Sequence, residues 1–365
     1  MAQEVSELLD QEEEVIDEAS QDDTAVPERY DISSYGADYD VHGLVWRLNQ
    51  GDIFIPTFQR NYVWNIQEAS RFIESLLLGL PVPGIFLAKE PEPNKLLVID
   101  GQQRLKTLQF FYEGIFDPKP EDKTHRVFAL TKVQSHFEGL TYDTLDERDR
   151  LKLDNSIIHA TIVKQDFPGD YTGIYHIFER LNTQVRPLYP QEIRTALYHG
   201  PLMDLIKQLN DYPAWRQIYG KKNKRLKDEE LILRFLALYF DFEHYESPMT
   251  EFLNKFAKKH KFADKGFFTE ATKVFTDTID VVLQNLGSVS FRPERALNAA
   301  VFDSVMVGLA HRISHGAIEN PEKVAEAYAR LLEDEEYLNA TSQATSNVGS
   351  VQTRISKAIE VFANL

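Results

Sequence analysis

The sequence predicts an α+β protein, built as an acidic arm, a mixed β-sheet domain and an all-helical C-terminal domain. Three observations carry this. Short β-rich apolar runs bounded by Gly and Pro occur only in the first half of the chain. After Pro190 the apolar residues fall at helical spacing in one segment after another, and strand signals disappear. The first forty residues hold 14 Asp and Glu against Arg29 alone, with few large apolar side chains to bury. The boundaries this sets are 1–39 for the arm, 40–200 for the sheet domain and 201–365 for the helical domain.

Taken in order, residues 1–30 read as a disordered arm with a nascent helix around 5–16. From Asp40, the spacing of Val41, Leu44, Val45 and Leu48 predicts a short amphipathic helix ended by Gly51. Ile53-Phe54-Ile55 reads as a strand. Pro56 breaks it and sends Phe58-Gln59-Arg60-Asn61-Tyr62-Val63-Trp64 into an ordered loop. Asn65 is a helix N-cap, with Ile73, Leu76, Leu77 and Leu80 on the buried face and Gly79 near the end. Residues 84–88 and 96–99 flank the turn Pro91-Glu92-Pro93-Asn94 and suit an antiparallel pair that delivers Asp100 to a sheet edge. A helix over 102–113 follows, then strands at 126–130 and 156–165 separated by a charged insertion with a short helix. Residues 170–181 form a helix that Asn182 ends. The helical domain is predicted over 191–198, 202–209, 228–242, 251–260, 268–286, 295–314, 321–332 and 351–362.

The dense polar knot Asp100-Gly101-Gln102-Gln103-Arg104 sits between a buried strand and a helix. Gly101 tolerates the sharp reversal, and Gln102, Gln103 and Arg104 fall in the first helical turn. Free N–H groups and the positive end of the helix dipole favour an anion there, and Arg104 adds a fork of donors. The plainer reading is that Asp100 caps the helix and pairs with Arg104 across the turn. One cap needs only one of these five residues, which tilts the balance toward a site.

Residues 99–104, with Phe58 to Trp64 upstream, resemble the N-terminal domain family of GmrSD-type restriction endonucleases, a branch of the ParB/sulfiredoxin-like superfamily. Phe178-Glu179-Arg180-Leu181-Asn182-Thr183, running into Pro187-Leu188 and Pro190-Gln191-Glu192-Ile193-Arg194, is a third matching segment. The resemblance covers about residues 40–200, and 225–239 resembles the family's helical extension. Many members carry Gly near Val185, so the loop after Asn182 departs from the pattern. The resemblance implies a ParB/sulfiredoxin-like sheet, nucleotide binding and, in several branches, nucleoside triphosphate hydrolysis at D-G-Q-Q-R. It assigns Asp100, Gln102, Gln103 and Arg104 to catalysis, and Gln59, Arg60, Gly101, Asn182 and Arg194 to nucleotide binding. Arg104 and Arg60 would hold phosphate oxygens, the amides would position water, base or ribose, and Asp100 would orient an arginine or bind Mg²⁺ with the phosphates.

Composition narrows the chemistry. There are no cysteines, so disulfides, thiolate catalysis and Cys-ligated zinc are excluded. Of the net charge of −17, all but −4 belongs to residues 1–40, so the folded part is nearly neutral. Two local basic clusters remain: Lys221, Lys222, Lys224 and Arg225 with Lys227, and Lys255, Lys258, Lys259, Lys261 and Lys265. Each is a solvated helix face or a DNA phosphate contact, and the first is the candidate nucleic-acid site. A Walker phosphate loop is absent from the sequence. His311 and His315 lack the glutamate of a zinc-protease helix. Asp117 with Glu121-Asp122-Lys123 is too compressed for a metal nuclease, and no His-Asn nuclease motif follows residue 200.

The expected function is a nucleotide-binding, NTP-hydrolysing sensor or regulator in a DNA-directed, anti-phage, restriction-like system. Its nuclease or modification subunit would be a separate chain. Nuclease activity of this chain alone is not expected, and the cytoplasm is the expected location. The rival reading is a non-catalytic DNA-binding or protein-interaction module using the same polar pocket.

Overall fold

The structure is a computed structural model and describes residues 15–16, 32–56, 62–90, 95–118, 126–165, 172–181, 188–293, 296–318, 320–363 and 365. The chain forms two units. One is Glu28–Leu188; the other is Tyr189–Leu365, which also takes in a two-residue strand, β1 (Val15–Ile16).

The first unit is a mixed five-stranded sheet with helices. Its first strand, β2 (Ile32–Asp40), corrects the predicted extent of the arm, which ran to residue 39. The polar run Ser33, Ser34, Gly36, Asp38 and Asp40 carried no strand signal because β2 is an edge strand, whose outward residues meet water. Asp40 then turns the chain into α1 (Val41–Gln50), its Oδ1 accepting from the Gly43 N–H at 2.7 Å, and Gly51 ends the helix at φ 73°. After β3 (Ile53–Phe54) comes α2 (Ile66–Leu78), opened by a reciprocal cap. Asn65 Oδ1 accepts from the Gln67 and Glu68 N–H groups at 2.9 and 3.0 Å, and Glu68 Oε2 accepts from the Asn65 N–H at 2.8 Å.

The central strands are β4 (Ile85–Lys89) and β5 (Leu96–Asp100), followed by α3 (Gln102–Glu113), α4 (Glu147–Asp154), β6 (Ile157–Gln165) and α5 (Thr172–Leu181). Strand order is β2-β6-β4-β5-β3. The β2/β6 and β4/β5 pairs are antiparallel, whereas β4/β6 and β3/β5 are parallel. Ile85, Leu87, Val98, Ile73, Leu105, Leu108 and Phe111 bring sheet and helices together in one buried core. The strand predicted at 126–130 reduces to a single bridge between Val127 and Ile115. Phe128 earns its apolar signal another way, packing edge-to-face on Phe111 and Phe116 at 5.2 Å.

The second unit is helical: α6 (Pro190–Leu197), α7 (Pro201–Asn210), α8 (Pro213–Tyr219), α9 (Lys227–Asp241), α10 (Met249–His260) and α11 (Lys265–Leu286), then the two-residue β7 (Leu297–Asn298), α12 (Ala299–Ser314), α13 (Glu322–Glu333), α14 (Glu335–Ser342) and α15 (Val348–Phe362). The division at Leu188/Tyr189 gives α6 to this unit, earlier than the boundary at 200 drawn from sequence. Helix α12 is its axle, buried at every residue from 299 to 310 and packed on α9, α11 and α15. At Gly308 a β-carbon would lie 2.8 Å from the Ala358 backbone, so the α12/α15 crossing requires glycine. Asp303 of α12 is shared by two buried arginines, Arg234 of α9 (Oδ2 to Nη2, 2.6 Å) and Arg354 of α15 (3.3 Å). In the arm, Val15 and Ile16 pair parallel with Leu297 and Asn298, so the described part of the predicted nascent helix is strand. Among the described residues no helix is long and apolar enough to cross a membrane.

Candidate nucleotide site at the end of β5

Strand β5 ends at Asp100, and Gly101 turns the chain directly into α3. Its φ of 103° is one that side-chain-bearing residues avoid. A β-carbon on it would also lie 2.4 Å from Ile85 Cγ2 on the neighbouring strand. Conformation and space therefore both demand glycine. Gly101 is the N-cap, and among the described residues no side chain caps the helix, so the predicted capping role of Asp100 is not seen. The predicted ion pair is: Arg104 Nη2 donates to Asp100 Oδ2 at 2.7 Å.

Arg104 is mostly sequestered, with its side chain 15 % exposed, whereas the Asp100 side chain is 47 % exposed. Arg104 Nε is buried and finds no hydrogen-bond acceptor among the described residues. A guanidinium held beside an uncapped helical first turn, with donor capacity unspent, is suited to an anion. Gln102 is largely buried beside it.

Gln103 does something the sequence did not reveal. Its Oε1 accepts from the N–H groups of both Val63 (3.0 Å) and Trp64 (3.3 Å), clamping the last residues of the second motif. Tyr62 reinforces the clamp through a 2.7 Å bond between its hydroxyl and Thr107 Oγ1. Burial pushes the Tyr62 phenol up to about 12, so it remains a neutral hydrogen-bonding group. The third motif begins on α5, which packs on β5 and β6, with Phe178 fully buried and Glu179 Oε2 3.1 Å from His176 Nδ1. The first two motifs meet through Gln103, and the third starts on a helix laid against the strand that ends at Asp100. Gln59, Arg60 and Asn182 lie outside the described residues.

Arg194 belongs to the helical unit and is fully buried there. It donates to Asn254 Oδ1 (3.0 Å), Gln191 Oε1 (2.5 Å) and Glu230 Oε2 (3.0 Å), which ties α6 to α9 and α10. Of the candidate nucleic-acid residues, Lys221, Lys222 and Lys224 are not buried, and Lys222 pairs with Asp211. Arg225 is turned inward, bonded to Glu192 Oε2 at 3.1 Å and stacked 4.1 Å over the Tyr189 ring, a structural placement.

Comparison with known proteins gives one family match. Residues 41–199 match the family model described as the GmrSD restriction endonuclease, N-terminal domain. That segment is similar to this family's domain. A relative is a protein of Methanocaldococcus jannaschii described as uncharacterized, 27% identical over 208 residues. That alignment takes in 47% of this chain and 36% of the relative, so the chain spans about a third of the relative's length. The GmrSD match begins at the first helix and closes just after α6, so it spans nearly the whole sheet unit and reaches into the helical one.

Proposed function

We propose that this GmrSD-type chain is the nucleotide-sensing component of a restriction-like defence system, binding a nucleoside triphosphate at the β5–Gly101–α3 junction and hydrolysing it. The observation that carries the reading is Arg104, sequestered in the first turn of α3 with its Nε unspent and, among the described residues, a single carboxylate partner. A phosphate group arriving there would take the free donor and the uncapped N–H groups together. Gln102 and Gln103 lie in the same turn, with Gln103 also holding the Val63 and Trp64 amides.

Mg²⁺ fits this reading in a limited way. Among the described residues no group of three or more Asp, Glu, His or Cys side chains is placed to hold a metal ion. Magnesium is commonly held by one or two carboxylates plus substrate phosphates and water, and Asp100 offers one half-exposed carboxylate for that role. When bound, the ion would neutralise phosphate charge. The chain's own contribution is to grip and orient the phosphates through Arg104 and the first turn.

The test is nucleotide titration and phosphate release, with Mg²⁺ and with and without DNA, on wild type, Arg104→Ala and Arg104→Lys. Removing a charge-assisted hydrogen bond of roughly 1.5–3 kcal/mol weakens binding about tenfold to over a hundredfold. Lysine rescues poorly because the planar fork is gone. Unchanged affinity in both variants, with only a small loss of stability from the Asp100–Arg104 pair, refutes the proposal.

A further inference from the structure

At the end of α10 the chain presents Phe262 to solvent, 74 % exposed. A single exposed apolar residue is ordinary on a protein surface; the surroundings distinguish this one. Residues 255–265 contain five lysines and one acid, Asp264. Asp264 is spent as the N-cap of α11, its Oδ1 accepting from the Phe267 N–H at 2.9 Å. Lys255 and Lys259 are neutralised locally by Glu246 and Asp241. Lys258 and Lys265 are exposed and have no carboxylate partner among the described residues. Lys261 donates from Nζ to the Leu197 carbonyl oxygen at 3.4 Å and lies 5.3 Å from the centre of the Phe262 ring, and the ring's Cε1 edge comes up beside Gly200, where a β-carbon would sit 3.4 Å away. The ring is thus held at its edge and by one cation, with Lys258 before it and Lys265 after it in the chain.

We propose that Phe262, with Lys258 and Lys265, is a binding site for single-stranded nucleic acid: the ring stacks on an unpaired base while the two ammonium groups meet the flanking phosphates. Single strands are recognised by this combination, because every base has a stacking face and every linkage a charge. A duplex offers the phosphates but keeps its base faces covered, so the exposed ring selects for unpaired bases. The site stands in the helical unit and does not depend on the nucleotide reading above.

The experiment is fluorescence anisotropy of labelled oligothymidylate, oligouridylate and a duplex of equal length with the full chain at low and at physiological salt. Wild type should bind a single strand more tightly than the duplex, and the two oligonucleotides show whether DNA or RNA is preferred. Phe262→Ala should weaken single-strand binding about fivefold to a hundredfold and leave the melting temperature unchanged, since the side chain is exposed. Phe262→Trp should retain binding, with tryptophan emission quenched on addition of oligonucleotide beyond the change seen in wild type. Joint replacement of Lys258 and Lys265 by Ala should flatten the logarithmic salt dependence by about 0.7 for each phosphate left without its lysine. Arg104→Ala should bind oligonucleotide as wild type does. No detectable single-strand binding, or a Phe262→Ala variant that binds as tightly as wild type, overturns the proposal.

Discussion

Gly101→Ala is the most informative single change in the sheet unit. Two costs add. Residues other than glycine held at positive φ lose about 1–3 kcal/mol, and Gly101 sits at 103°. Forcing a methyl group into filled space costs about 1–3 kcal/mol more, and here it would meet Ile85 Cγ2 at 2.4 Å and Cβ at 2.9 Å. Together the variant should lose about 2–6 kcal/mol. Urea unfolding followed by tryptophan fluorescence reads this, because Trp46 and Trp64 lie in the affected unit and Trp215 in the other. The steric share can be isolated. Ile85→Ala removes Cγ2, so the double variant should lose less than the sum of the two single variants, with a coupling of about 1–2 kcal/mol. A Gly101→Ala protein within about 1 kcal/mol of wild type, or strictly additive changes, would refute the claim that this turn is closed to every other residue.

Three further outcomes follow from the helical unit and the arm. Asp303→Asn leaves two buried guanidiniums without their shared carboxylate and should destabilise the protein by about 3–5 kcal/mol in a denaturant titration. Burial and the adjacent Asp228 raise the Glu229 carboxyl to about 7, against the pull of Lys207 and Lys222. The folded chain therefore keeps a proton that the unfolded chain releases. Stability falls as pH rises from about 4.5 to about 7 and is level above, a change on the order of 3 kcal/mol; Glu229→Gln should abolish that slope and be the more stable protein at pH 8. Deleting residues 1–14 should leave the melting temperature within a few degrees, whereas deleting 1–27 removes the β1/β7 pairing and should lower it further. Equal melting of the two truncations would show that the pairing contributes nothing.

Where an element is fixed by local signals, the sequence was sufficient. The bounds of α3, the Asn65 cap, the Gly51 and Gly79 stops and the antiparallel β4/β5 pair all rest on residues within a few positions of one another. Strand β2 was illegible because none of its nine residues is buried, so no apolar face marks it. Helices α8 and α14, of 7 and 8 residues, were not predicted, although α6, also 8 residues, was. The site divides the same way. The Asp100–Arg104 pair is four residues apart and was visible, but the Gln103 clamp joins positions about forty apart, which no local pattern encodes. Arg194 and Arg225 look like ligand-binding or surface cations in sequence, and only the fold reveals carboxylates and a ring that occupy them. The buried trio around Asp303 had one readable sign, a charged residue set in the largely apolar stretch from Ala299 to Ala310.

The Gln103 clamp gives the protein two natural reporters. The Val63 and Trp64 amide hydrogens share one acceptor, the carbonyl oxygen of a side chain rooted in the first turn of α3. Their exchange with solvent deuterium therefore requires that side chain to let go, so both amides should exchange at rates governed by the same local opening. A ligand that orders the first turn slows the pair together. Gln103→Leu frees both at once while amides deep in the sheet, such as those of β4, keep their protection. Occupancy of the turn can thus be followed residue by residue in the unlabelled protein, without a chromophore and without turnover.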